Sequence, residues 1–182
     1  MMNYTNKIFA EAGSTLTEST SSIIVAFVMM IANFLAMVLV DRAGRKLLMT
    51  ASAFATSLSL ISMGLYDSFK QSLTEHRWIP IAAFSMIILF SSIGMLPLTF
   101  VILSELIPKK IKNIIILLAL ECLWGLAFAL VSFFPILTAT FGTSMCMFFL
   151  ATCCMLGALF YLMVLPETKG KTYEEIIQAL AK

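Results

Sequence analysis

The sequence predicts an all-α membrane protein with about five transmembrane helices, a partial helix before them and a short amphipathic helix after them. Three observations carry that prediction. The 182 residues are 60% hydrophobic and only 12% charged, so a soluble fold would have too few polar residues to cover its outside. The charges gather in short clusters between apolar runs of bilayer length. One cluster, Asp41, Arg42, Arg45 and Lys46, crowds a tight turn with Gly44 between Met29–Val40 and Leu47–Tyr66, two runs without a charge. A charged turn in that setting joins two spanning helices, and its three cations assign it to the cytoplasmic side.

The elements follow in order. Residues 1–13 are too short to span; Asn3-Tyr4-Thr5 fits a glycosylation acceptor pattern, which so near a membrane helix reads as a chance match. Residues 14–22 form a Ser/Thr/Glu linker whose serines suit a helix N-cap. Residues 1–22 lack the basic-then-apolar start of a signal peptide, so insertion is expected to rest on the spans themselves. The predicted spans are 23–40, 47–66, 78–106, 114–137 and 145–165, followed by a cytoplasmic tail, 166–182. In the second span, Ala51, Ser52, Ala55, Thr56, Ser59 and Ser62 supply the small residues that let helices approach closely in lipid. The loop 67–77 holds the single histidine, His76, read as solvated.

The third span opens on Trp78, an interfacial residue type, and is interrupted by Gly94 and Pro97, which predict a kink. Glu105 ends it, and a cationic loop runs from Pro108 to Lys112. The fourth span carries Glu121 and is expected to stop near Pro135, with an uncharged loop over 138–144. After the fifth span, Thr172 and Glu175 have capping-box spacing, and Tyr173, Ile176, Ile177 and Leu180 share one face of a short surface helix.

Topology is tested by counting cations. Nine of the twelve Lys and Arg fall in the loops assigned to the cytoplasm, and only Lys7, Lys70 and Arg77 fall outside. The N-terminus is therefore expected outside and the C-terminus in the cytoplasm. A net charge of +2 gives no reason to expect a nucleic-acid partner. Cys122, Cys146, Cys153 and Cys154 lie in apolar runs without metal-ligand or disulfide spacing and read as packing residues. No nucleophile stands with a base and no glycine-rich phosphate loop is present, so neither an enzyme nor a cofactor is expected.

Four stretches then carry a resemblance. Val40-Asp41-Arg42-Ala43-Gly44-Arg45-Lys46, Glu105-Leu106-Ile107-Pro108 with Lys112, Pro166-Glu167-Thr168-Lys169-Gly170-Lys171-Thr172, and Ile8-Phe9-Ala10-Glu11-Ala12-Gly13 occur in the order and spacing of the C-terminal half of a sugar porter. The chain resembles that half of the major facilitator superfamily's sugar porters, the group of glucose facilitators and insect trehalose transporters. The resemblance implies half of a major facilitator bundle over residues 1–182, which with an N-terminal half carries a hexose or trehalose by alternating access. It implies a plasma-membrane location and a cytoplasmic gating network of ion pairs drawn from Asp41, Arg42, Arg45, Glu105, Lys112 and Glu167, with Lys112 standing where the family usually has Arg. It also implies a substrate site near Pro97, Phe100 and Trp124.

That site departs from the family's pattern. Phe100 stands where Trp is usual, Leu123 where Asn is usual beside Trp124, and Met29 at a polar position of the first span. Phe100 and Trp124 therefore read either as substrate aromatics or as packing and lipid-facing rings. Glu121, about 15 Å into its helix at 1.5 Å per residue, is expected to face protein, either as a substrate or proton contact or as a drifted position that hydrogen-bonds a neighbouring helix. Two functions remain open: a sugar facilitator of which this is one half, or a truncated or non-transporting relative, either a gene-model fragment or a chain that persists by binding another membrane chain. In both, the lipid bilayer is the surrounding partner.

Overall fold

The computed structural model describes residues 18–69, 78–108 and 110–171, together with residues 174, 175 and 178. The expected partial N-terminal helix, the glycosylation pattern, His76 and most of the expected C-terminal helix lie outside the described residues. The described chain is helical throughout its elements and has no strand: α1 (Glu18–Ala43), α2 (Arg45–Ser68), α3 (Trp78–Phe90), a π turn (Ser91–Met95), α4 (Leu96–Leu106), α5 (Lys112–Phe141) and α6 (Thr143–Val164). The protein is a membrane protein, with helices long and apolar enough to cross a bilayer.

Helix α2 is the centre of the bundle. It packs most extensively on α6, then on α3, the π turn and α1. Antiparallel α2 and α6 are joined along their length. Asp67 Oδ2 accepts a hydrogen bond from Ser144 Oγ at 2.7 Å near one end, and the buried Ser57 Oγ donates to the Ala151 carbonyl at 2.8 Å in the middle. The small-residue expectation holds for Ser52, Thr56 and Ser59, which are buried, but Ala51 and Ser62 are exposed and Ser57 carries the link to α6 instead. A helix buried on several sides has more than one contact face, and a one-face reading misassigns the edges.

Residues Trp78–Leu106 run on as α3, π turn and α4. The Leu96 N–H donates to the Ser91 carbonyl, five residues back, so the turn is locally wide. Pro97, the second residue of α4, follows directly; its missing N–H and bulky ring are accommodated where the ladder has already widened. Gly94 sits against α2 so closely that a Cβ there would overlap Ser52 Oγ. The core cluster lies next to this junction, where Ala32 and Ala36 of α1 meet Leu48 and Met49 of α2, Ile93 of the π turn, and Leu98 and Ile102 of α4.

Helix α5 differs from the expected span. It passes through Pro135 and ends only at Phe141, and the expected loop over 138–144 shrinks to Gly142, at φ 84°. A proline removes one backbone bond, whereas ending the helix in hydrocarbon would expose several unsatisfied groups. None of the residues of α5 is buried.

Candidate functional site

The site at the charged end of the bundle starts from a glycine. Gly44 alone separates α1 from α2, at φ 89° and ψ 158°, a backbone region essentially reserved for glycine. Helix α2 has no acid in its first turn and no side-chain cap from its own N-cap residue. Glu167, just beyond α6, supplies one: the N–H of Arg45 donates to Oε1 at 3.0 Å and that of Lys46 to Oε2 at 3.3 Å. A carboxylate on the first free N–H groups of a helix satisfies two orphan donors and meets the positive end of the dipole. The N–H of Lys169 also donates to Oε1, at 3.0 Å.

Two residues on, Lys169 Nζ donates to the Arg42 carbonyl at 2.9 Å, placing a cation on the last turn of α1. One short segment thus caps two successive helices, each with the sign its terminus favours. On the other side of Arg45, its Nη2 lies 3.5 Å from Glu105 Oε1 in the last turn of α4. Arg45 Nε and Glu105 Oε2 are buried without a hydrogen-bond partner, so this pair is substantially desolvated. Burial works to raise the Glu167 pKa, but the backbone hydrogen bonds of Lys169, Arg45, Lys46 and Thr168 outweigh it and hold the carboxyl below its ordinary range.

Of the charged positions expected to form a network, the structure brings together Arg45, Glu105 and Glu167. Arg42 takes part through its carbonyl while its side chain is exposed. Lys112, the first residue of α5, makes no ion pair among the described residues, and the side chain of Asp41 lies outside them. Sequence reasoning missed the cap by Lys169, the need for Gly44 and the Asp67–Ser144 link. Gly in the centre of a charged turn was the available signal for the first helix junction; no local signal pairs Asp67 with a serine 77 positions away.

The expected substrate residues are more dispersed. Pro97 and Phe100 are half-buried on α4, and Trp124 is 65% exposed on α5. No ring contact joins Phe100 to Trp124 among the described residues. Glu121 is exposed, and the described helices of this chain do not cover it, because α5 touches them along the opposite, partly covered side.

Residues 1–180 match the family described as sugar (and other) transporter. The chain is 35% identical over 176 residues to the facilitated trehalose transporter Tret1 of Anopheles gambiae, covering 95% of this chain and 22% of that protein. It is 34% identical to Tret1 of Polypedilum vanderplanki, covering 95% and 35%. Among solved structures it is similar to a double-tryptophan variant of XylE, with a TM-score of 0.82, 25% identity, and coverage of 97% of this chain and 38% of that one. The inward-open xylose transporter XylE from E. coli gives a TM-score of 0.77 at 25% identity, covering 86% and 35%. The chain thus spans between about a fifth and two-fifths of the lengths of these proteins.

Proposed function

The chain belongs to the sugar (and other) transporter family, and from that premise we propose that its helices form part of a membrane transporter that moves a hexose or trehalose by alternating access. The observation that carries this proposal is the clamp in which Arg45, Glu105 and Glu167, from three distant stretches, meet at one end of the bundle. In this reading the Arg45–Glu105 ion pair and the Glu167 carboxylate on the α2 N-terminus are made in one arrangement of the bundle and broken in another, as a gate requires. The relatives are named as trehalose transporters and the structural neighbours as xylose transporters, which supports a sugar as cargo. The proposal includes no enzymatic step.

The placing of nine cations on one side supports a cytoplasmic C-terminus and a plasma-membrane protein with its clamp at the inner surface. Residues 1–182 act as one unit in this proposal, with Pro97, Phe100, Trp124 and Glu121 lining the pathway and with further helices completing it. Uncovered α5 supports that need. It equally favours a second reading, in which the chain binds another membrane protein without transporting.

Uptake of labelled trehalose and hexose tests the proposal in two preparations: liposomes holding this chain alone, and liposomes holding a chimera in which it replaces the matching stretch of the Anopheles gambiae relative. Saturable, competable uptake by the chimera alone is expected. A folded chimera without uptake supports the second reading, and uptake by the monomeric chain alone would overturn the need for further helices.

A further inference from the structure

We propose that Lys169 is a positioning residue of the gate, tying the end of α1 to the Glu167 clamp so that α1 and α2 are released together; this rests on the transport reading above and names the side chain that carries the opening to a second helix. Two bonds of one residue make the tie. The Lys169 N–H donates to Glu167 Oε1 at 3.0 Å, and its Nζ donates to the Arg42 carbonyl at 2.9 Å, 127 positions away. The same Oε1 accepts the N–H of Arg45. One carboxylate oxygen and one lysine thus run from the first turn of α2 to the last turn of α1.

The end of α1 depends on this contact more than other helix ends do. Helices α5 and α6 close with backbone bonds of their own, from the Gly142 N–H to the Thr138 carbonyl and from the Leu165 N–H to the Tyr161 carbonyl. Gly44, at φ 89° and ψ 158°, lies away from the left-handed helical turn that folds an N–H back onto a helix end, and among the described residues no such bond closes α1. The Lys169 ammonium instead meets one of the last carbonyls of α1, at the negative end of its dipole. Leu39 and Val40 are the last α1 residues packed on the core cluster, and Arg42 and Ala43 beyond them are exposed. Past Val40, α1 is held by the chain through Gly44 and by Lys169.

The second bond of Lys169 supplies the coupling. Its N–H on Oε1 fixes the lysine backbone relative to the carboxylate that caps α2. When Glu167 leaves the N–H groups of Arg45 and Lys46, Lys169 loses its own anchor and its ammonium leaves Arg42. A clamp without this lysine would release α2 and leave the end of α1 as it was.

Hydrogen exchange at the ends of α1 and α2, in the full chain held in lipid nanodiscs, tests the tie. Lys169→Met should speed exchange of the last-turn amides of α1 by roughly two- to fivefold, the range of one exposed cation at a helix end. Lys169→Arg should keep most of the protection. Glu167→Gln should also speed exchange at the end of α1, and should add little once Lys169→Met is in place. Effects of the two substitutions that multiply independently would overturn the coupling. Unchanged exchange at α1 in Lys169→Met would overturn the tie, and a Lys169→Arg chain as fast as Lys169→Met would overturn the role of the cation. In the chimera, Lys169→Met should change the uptake rate in the same direction as Glu167→Gln. Uptake indifferent to Lys169 would overturn its place in the gate, whereas a folded chimera with no uptake at all counts against the transport reading and leaves the exchange results to judge the tie.

Discussion

A Cβ on Gly44 would stand 2.6 Å from Glu167 Oε2. The glycine at the α1–α2 junction and the carboxylate beyond α6 occupy adjoining space, and the cap on α2 exists because Gly44 has no side chain. Gly44→Ala should therefore act twice, by forcing a strained φ of 89° and by pushing the carboxylate off the Arg45 and Lys46 N–H groups. The expected loss is about 2–3 kcal/mol, taking backbone strain of this kind together with loss of a cap. Reversible unfolding of the chain in mixed micelles measures it, and a change under about 0.5 kcal/mol, within the range of an ordinary surface substitution, would show that the junction relaxes freely.

Glu167 also gives the clamp a pH dependence. Its pKa in the folded chain lies below the ordinary value of 4.5, so folding favours its ionised form. That contribution is fully present above the ordinary value and is lost as pH falls through the lowered folded value. Glu167→Gln should cost stability at neutral pH, and the cost should shrink on acidification below about pH 4.5 as the wild-type carboxylate takes up its proton. Melting temperatures of both forms across the acid range check this; parallel curves would remove Glu167 from the acid response.

How much of this was legible in the sequence follows from the range of the forces involved. The helices α2 and α6, and α3 together with α4, are written in apolar runs of bilayer length, the last interrupted at Gly94 and Pro97, because lipid demands that every backbone group be satisfied within the segment. The same demand carries α5 through Pro135, near which the sequence pattern alone ends the span. The charged stretches could be matched to a pattern, but their roles came from contacts across more than 120 positions: Glu167 meets the backbone of Arg45 and Lys46, not their side chains. Backbone acceptance leaves no trace in residue type at positions 45 and 46. The faces of α2 were only half readable, since small polar residues serve α6 through Ser57 and the π turn through Ser52.

Ser57 gives the α2–α6 contact a measurable strength. Its hydroxyl is fully buried and donates to the Ala151 carbonyl at 2.8 Å. Interhelical hydrogen bonds of this type in membranes average about 0.6 kcal/mol and reach about 1.7. Ser57→Ala should fall in that interval, because alanine leaves the packing nearly unchanged and frees only one acceptor. Ser57→Leu should cost several times more, since the site has no room for the added atoms. Equal effects of the two changes would mean that α2 and α6 separate easily at this level.

The Arg45–Glu105 pair is the place where stability and gating can be separated. One close approach of 3.5 Å joins two side chains that are 19% and 27% exposed, and each retains a buried polar atom without a partner. A partly satisfied pair of this kind contributes modestly to folding, because desolvation opposes the attraction. Its effect on the equilibrium between two arrangements of the bundle is the full difference between a made and a broken pair. Arg45→Glu should lower stability by about 3–5 kcal/mol, because it leaves Glu105 part-buried beside a second carboxylate, and it should also shift the transporting chimera away from the arrangement in which the clamp is closed. The exchanged variant Arg45→Glu with Glu105→Arg should recover part of that shift, with a coupling of about 1 kcal/mol in a double-mutant cycle. Glu167 sets a limit on the recovery, because it sits on the Arg45 backbone N–H and would face the new glutamate at close range. Accessibility of engineered cysteines on the two sides of the chimera's membrane reads the shift directly. Uptake and accessibility unchanged by the single reversal would show that the pair holds the helices together and does not gate them.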